Sequence, residues 1–399
     1  MIADLSRRRL VICCGTGGVG KTTISAALAL RLAQSGARTV VVTIDPARRL
    51  ASALGMTGLS DEPRQVPAEA LLGEGAGELW ALQLDAKATF DRLVSRYAAD
   101  EAARTRILDN RIYRHLSGAV AGAQEYMAVE RLHELVEDGG FECIVLDTPP
   151  ATNALDFLDA PQRITRFIEG RALRLLLRPG AVAGGLGWKI LHAGSGTVLN
   201  LLERLTGAQL LRDVSDFLAG FDGMYQGFAD RATAVRKLLL SEQSAFLVIA
   251  AAEPDSLGQA VALSRRLTAD GFPLAGVVLN RVHPLPGDPP AEEDMTRALA
   301  AAGAADPASL AREAIAAIAD ERVLGLRDLD ARAELHAAIG DGGLIEVPSL
   351  ENEPVELPGI GEVAAALGPL TGRGSPCSAR ASSGRPAPAR WPTAAHGCG

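Results

Sequence analysis

Long apolar runs, cysteines, excess positive charge and aromatic side chains are all scarce in this chain of 399 residues. No uninterrupted apolar run approaches the ~18 residues that a membrane-spanning helix needs. Arg7-Arg8-Arg9 ahead of Leu10–Cys14 has the order of a signal peptide, but the apolar part is too short and runs straight into a glycine-rich loop. The expectation is a cytoplasmic protein. The five cysteines are Cys13, Cys14, Cys143, Cys377 and Cys398. They form no C-x-x-C pair and no His/Cys cluster, which argues against a disulfide framework and against a structural zinc site within one chain. A net charge of −8 opposes broad binding to nucleic acid or to an anionic membrane surface, since both need a positive field. Aromatics at 4% beside abundant alanine point to many helices, and 48% hydrophobic with 22% charged residues is the balance of a soluble globular protein.

What is present is a glycine loop in a telling place. Gly15-Thr16-Gly17-Gly18-Val19-Gly20-Lys21-Thr22-Thr23 follows the apolar run Leu10–Cys14 and opens a helix-like segment that closes near Gly36. The full G-x-x-x-x-G-K-T pattern between strand and helix is the context in which such a loop binds a nucleoside triphosphate. Its glycines let backbone N–H groups of Gly17, Gly18, Val19 and Gly20 turn towards phosphate oxygens. The helix N-terminus, with Thr23, adds positive potential, and Lys21 neutralises the β and γ phosphates. The Thr22 hydroxyl is placed to ligate Mg²⁺.

Apolar strand-like runs recur at Leu10–Cys14, Thr39–Asp45, Leu79–Leu84, Cys143–Asp147, Ala245–Ala250 and Gly276–Asn280, with helical segments between them. Near-continuous apolarity marks strands buried on both faces. The expected fold class is α/β, a doubly wound, mostly parallel sheet with flanking helices and an inserted helical subdomain. The expected organisation is a core in two parts, residues 1–155 and 241–368, an insertion over residues 156–240, and a disordered tail over residues 369–399. In the insertion, Leu210, Val214, Phe217, Phe221, Met224 and Phe228 recur at helical spacing. Its glycine-rich stretch Pro179–Gly196 reads either as apolar packing or as a lid or groove for a hydrophobic partner. His283–Pro290 is a proline-rich connection, Ala291–Ile339 a charged helical outer layer, Leu344–Val347 a short strand, and Gly361–Leu367 a closing helix.

Two aspartates follow apolar strands. Asp45, in Thr43-Ile44-Asp45-Pro46-Ala47-Arg48-Arg49, can orient or deprotonate a water attacking a γ-phosphate, or cap a helix whose first residue is Pro46. Asp147, after Cys143–Leu146, stands where such proteins hold Mg²⁺ directly or through water. Thr148–Asn153 is placed to sense the γ-phosphate.

These stretches together resemble the ArsA/Get-type ATPases, within the wider group that includes MinD, ParA and the nitrogenase iron protein. The family's phosphate loop reads G-K-G-G-V-G-K-T-T, its first switch T-D-P-A and its second D-T-A-P-T-G-H-T. Here those stretches stand as Gly15–Thr23, Ile44–Ala47 and Asp147–Ala154, and later segments extend the likeness over about residues 8 to 367. The resemblance implies ATP and Mg²⁺ as ligands. Lys21 holds phosphates, Thr22 binds Mg²⁺, Asp45 positions the attacking water, Asp147 holds a Mg²⁺-bound water and Asn280 meets the adenine edge. It also implies a nucleotide-bridged dimer, of identical chains or with a related ATPase subunit, and a hydrophobic protein client or membrane-protein partner, with no nucleic acid.

Three departures stand out. Thr16 occupies the place of the family's signature lysine, with Arg48 and Arg49 as candidate substitute cations. Asn153 replaces a histidine. The thiolates that bind metalloid or zinc in family members are absent, which argues against arsenite as a substrate. The leading reading is an ATP hydrolase; the others are a slow or non-catalytic nucleotide-dependent chaperone or scaffold module, and ParA-like partitioning on DNA.

Overall fold

In the computed structural model, described over residues 5–45, 47–98, 100–110, 123–149, 225–339, 343–350 and 356–368, eight strands form one sheet. They are β1 (Leu10–Gly15), β2 (Thr39–Thr43), β3 (Arg64–Gln65), β4 (Leu79–Gln83), β5 (Cys143–Asp147), β6 (Ser244–Ala250), β7 (Leu274–Val282) and β8 (Leu344–Pro348). Their order is β3-β4-β2-β5-β1-β6-β7-β8, and every pair is parallel except β3 with β4. The helices are α1 (Lys21–Gln34), α2 (Arg49–Ala53), α3 (Ala86–Tyr97), α4 (Glu101–Leu108), α5 (Ala123–Asp138), α6 (Tyr225–Leu239), α7 (Pro254–Ala269), α8 (Glu292–Ala301), α9 (Pro307–Ile339) and α10 (Glu356–Ala366). This is the doubly wound α/β sheet that the apolar runs imply.

Strand alternation sorts the core into two layers. Leu10, Ile12, Cys14, Val40, Val42, Ile144, Leu146, Phe246 and Val248 face one side, where they meet α3, α5, α6, α7 and the end of α9. Val11, Cys13, Val41, Cys143, Val145, Leu247 and Ile249 face the other, against α1, α2 and α10. Adjacent Cys13 and Cys14 therefore lie in opposite layers, as a period of two requires. Each fully buried side chain of the Leu, Ile or Phe class contributes roughly 1.5–3 kcal/mol, so the central strands, buried over all of β1, β2, β5 and β6, anchor the fold.

The topology also places the glycine loop. From β1 the chain passes over one face through α1 to β2, whereas from β6 it passes over the other face through α7 to β7. Strand order thus reverses around β1, the position outside whose carboxyl end open α/β sheets bind ligands. The first glycine of the loop is required by close approach, because a Cβ on Gly15 would stand 2.3 Å from the Ile249 carbonyl oxygen of β6.

Several elements differ from the sequence reading. Strand β3 escapes it because two exposed residues carry no apolar pattern. Strand β2 stops at Thr43, and α10 starts at Glu356 rather than Gly361. Helix α8 buries no residue fully, but α9 is more than an outer layer: it buries Ala311, Gly325, Asp328, Ala331 and Leu335. Asp328 explains part of this. It accepts hydrogen bonds from the His283 backbone N–H at 2.7 Å and shares a 2.9 Å contact with the His283 ring, fastening the proline-rich connection to α9. Of the expected helical insertion, α6 is described, packing Ala232, Val235 and Leu239 into the core. Pro179–Gly196, Asn153 and residues 369–399 lie outside the described residues. Among the described residues no helix is long and apolar enough to cross a membrane.

Candidate active site

Three parallel strand ends converge on one carboxylate. The register pairs Cys13 of β1 with Asp147 of β5, and Thr43 of β2 with the same Asp147. Helix α1 then starts directly after the loop, so Thr22 in its first turn meets these strand ends. Its hydroxyl donates to Asp147 Oδ2 at 2.8 Å, and the Thr43 hydroxyl donates to the same oxygen at 3.0 Å. Asp147 is 1% exposed, and its other oxygen, Oδ1, has no hydrogen-bond partner. Burial pushes the Asp147 carboxyl up to about 6, against the pull of Thr22, Thr43 and Lys21.

The loop itself turns through two left-handed glycines, Gly18 (φ 82) and Gly20 (φ 87). Gly20 is the N-cap of α1 and offers no side chain to the first-turn N–H groups, so the helix end keeps donors for an anion. Lys21 is buried, and its ammonium donates to the Thr16 carbonyl oxygen at 2.6 Å. Burial holds its pKa below the usual lysine range, although Asp147, Cys14 and Asp45 draw it back up. Open space faces Gly17 and Gly18, where a Cβ would meet nothing within 4 Å. Basic loop, free helix donors and a buried carboxylate with an orphan oxygen together form a cradle for phosphates and a hard cation.

Asp45 sits just beyond β2. Its backbone N–H donates to the Thr43 hydroxyl at 3.2 Å, and its Oδ1 accepts from the Ala47 N–H at 2.9 Å. Its carboxylate thus closes a turn rather than capping a helix, because α2 begins only at Arg49, with Arg48 as N-cap. Arg49 approaches Asp45 Oδ2 at 3.9 Å but is 70% exposed, a screened pairing of little energetic weight. Arg48 is also exposed. Thr148 turns its hydroxyl to the Cys13 carbonyl at 2.8 Å and ties β5 to β1. Asn280, at the far end of β7, reaches the loop, with its Nδ2 donating to the Val19 carbonyl at 2.8 Å.

The family described as "Anion-transporting ATPase" (ArsA_ATPase) matches residues 8–296. The chain belongs to this family. Among curated relatives it is 26% identical to "ATPase GET3" of Malassezia globosa over 167 residues, 42% of this chain and 46% of that one. It is 30% identical to "ATPase get3" of Aspergillus terreus over 161 residues, 40% of this chain and 45% of that one. It is 29% identical to "ATPase ASNA1 homolog 1" of Paramecium tetraurelia over 151 residues, 37% and 42% of the two chains. The chain spans about half the length of the curated relatives it matches.

The chain of this anion-transporting ATPase family member holds its glycine loop against α7. Thr16 points its hydroxyl inward, 3.4 Å from the Ser256 hydroxyl, which accepts from the Ala251 N–H at 3.0 Å. Sequence reasoning missed two residues here. Thr43 reads as an ordinary strand threonine, yet it links both aspartates; its signal was the two-residue spacing to Asp45. Ser256 carried no signal at all, because 240 residues separate it from Thr16. The three described cysteines are buried, and none of them forms a disulfide. Burial raises the thiols of Cys13 and Cys14, the latter to about 12, so neither is a thiolate near neutral pH.

Proposed function

We propose that the chain is a Mg²⁺-dependent ATPase that hydrolyses ATP to ADP and phosphate and, through that cycle, switches the conformation of a cytoplasmic dimer. The observation that carries this reading is the Asp147 carboxylate. A buried carboxylate with one oxygen held by Thr22 and Thr43 and the other unpartnered is costly unless a cation completes it. The donors, a threonine hydroxyl and a carboxylate, are the hard oxygen ligands that Mg²⁺ prefers. When bound there, Mg²⁺ supplies charge neutralisation to the phosphates.

The chain's own residues do the rest. The α1 N-terminus and the loop N–H groups hold the phosphate oxygens, and Lys21 offsets charge as the bond from phosphorus to the bridging oxygen breaks. Asp45, partly exposed at the mouth, orients the water that attacks phosphorus in line with that bond. The new P–O bond gives inorganic phosphate, and ADP leaves with the bridging oxygen. In the dimer the partner is a second copy or a related ATPase subunit, and a hydrophobic protein client reads the switch. Thr16, turned toward Ser256 within its own chain, takes no cross-dimer role.

One observation favours a slower device. Asp45 already accepts the Ala47 N–H and lies near Arg49, so its water-orienting oxygens are partly engaged. That suits a nucleotide-dependent chaperone or scaffold module in which ATP selects a conformation. Phosphate release decides between the two. Steady turnover that needs Mg²⁺ and collapses in Asp45→Asn supports the hydrolase. Tight Mg²⁺-ATP binding without turnover, or equal turnover in Asp45→Asn, supports the module instead.

A further inference from the structure

We propose that the solvent side of α9 is a self-association surface, on which a second copy of the chain lays its own α9 antiparallel along residues 316–333 without any need of nucleotide. Helix α9 runs for 33 residues, yet none of the residues 312–324 is buried. A helix in a folded protein draws most of its stability from packing an apolar face, and here an apolar face looks outward. Ala316, Ala319, Val323, Leu326, Asp330 and Ala333 recur at spacings of three and four, and all six are exposed. Val323 is 67% exposed and Leu326 44%, with Leu329 beside them at 45%. Five of the six positions are apolar, in the spacing of a two-helix seam.

Charge decides what covers this seam. Helix α9 carries six carboxylates and four arginines, a mixture that suits a like surface and opposes an anionic membrane. A two-fold pair lays the same face on itself. With the axis between Val323 and Leu326, each Val323 meets the other copy's Leu326, Ala316 meets Ala333, and Ala319 meets Asp330. On one flank Asp320 then stands opposite Arg327 of the second copy, twice by symmetry, and such pairs set helix orientation. Arg327 is presented for it: its Nε and Nη2 donate to Asp328 Oδ1 at 3.1 and 3.0 Å, while the side chain stays 38% exposed. On the other flank Arg322, tied to the Pro286 carbonyl and to Asp288, lays its methylene stem against Leu329. Farther out, Glu334 comes opposite both Arg312 and Glu313, which offset one another. A parallel pair fails on the same residues, because it sets Asp330 against Asp330 and Arg322 beside Arg327.

Cross-linking reads this arrangement directly. In the full chain carrying Cys377→Ser and Cys398→Ser, single cysteines are placed at exposed positions as Val323→Cys, Ala316→Cys and Ala333→Cys, each checked by thermal melting. Oxidation without nucleotide should join Val323→Cys to itself, and should join Ala316→Cys to Ala333→Cys only when the two proteins are mixed. Adding Lys21→Ala should leave both cross-links unchanged, which separates this contact from the nucleotide-driven dimer proposed above. By sedimentation the wild-type chain should be dimeric without ATP, and Val323→Glu with Leu326→Glu should fall to monomer mass with its melting temperature kept. Ala316→Cys joining to itself would overturn the antiparallel register, and a dimer that survives the two glutamates would place self-association elsewhere. A monomeric wild type would overturn the proposal; shielding of Val323→Cys from a maleimide in that monomer would show that the chain covers this face itself.

Discussion

Replacing Thr43 with valine removes one hydroxyl and almost no volume, so it isolates the link between the two aspartates. In the native chain that hydroxyl donates to Asp147 Oδ2 at 3.0 Å and accepts the Asp45 N–H at 3.2 Å. Hydrogen bonds to charged groups contribute about 1.5–3 kcal/mol and neutral ones about 0.5–1.5 kcal/mol. Asp147 keeps its Thr22 bond, and the part-buried Asp45 N–H recovers some solvation, which puts the expected loss near the lower ends, ~2 kcal/mol in total. At about 2–4 °C per kcal/mol, melting should fall by ~5 °C. The larger effect belongs to turnover. Without the Thr43 anchor the Asp45 backbone is free to drift, and a displacement of ~1 Å at a reacting group costs ~100-fold. Phosphate-release assays should therefore show kcat reduced ~10- to 100-fold with KM changed little, because the phosphate loop is untouched. Thr43→Ser, which keeps the hydroxyl, should restore most of the rate. Wild-type kcat in Thr43→Val, with the expected melting loss, would refute the idea that this threonine sets the position of Asp45.

Other outcomes follow from the same geometry. Asp147→Asn keeps an acceptor for Thr22 and Thr43 but removes a buried charge with an orphan oxygen, so the ligand-free protein should melt higher, by ~1 kcal/mol of stability, while Mg²⁺-dependent turnover is lost; a lower melting point would contradict the cost assigned to that charge. Lys21→Ala should abolish Mg²⁺-ATP binding in calorimetry, and retained affinity would move the triphosphate elsewhere. For Asp328, burial pushes the carboxyl up, but hydrogen bonds from the His283 backbone and ring and from Arg327 outweigh it and hold the pKa below the ordinary value. A depressed carboxyl stabilises the fold above its unfolded pKa and loses that contribution as pH falls through the folded value. Asp328→Ala should accordingly cost ~3 kcal/mol near neutrality and flatten the acid limb of a melting-temperature profile between about pH 2 and 5; an unchanged limb would show that the His283 clasp carries no stability.

The parts of this molecule legible in its sequence are those whose physical cause is local. Continuous apolar runs gave β1, β2, β4, β5, β6 and β7 because strands largely buried on both faces leave few polar positions, whereas β8 is a short edge strand with one buried residue and β3 has two exposed residues and no pattern to read. The loop glycines and Lys21 were legible because phosphate binding requires them in one short stretch. Asp147 was legible as a strand-end carboxylate, but its unpartnered oxygen depends on a register between three strands. The helix-cap reading of Asp45 failed for a local reason of another kind: its carboxylate satisfies the Ala47 N–H in a turn, and the helix waits until Arg49.

The phosphate loop shows where such reading stops. Its glycine spacing spells a loop able to bend around phosphates, yet freedom to bend is not a bent shape. What holds the loop comes from the second half of the chain: Asn280 of β7 on the Val19 carbonyl and Ser256 of α7 beside Thr16. Both reach it only because β6 and β7 lie on the side of β1 away from β2 and β5. Thr16 illustrates the consequence. Read along the sequence, it is a missing lysine. Placed in the sheet, it is a small hydroxyl turned to a neighbouring helix, at a position where a long cation would have to leave that contact to reach outward. The glycine loop is thereby tied to β7 through Asn280 and set beside α7 through Ser256, contacts that only the strand order supplies.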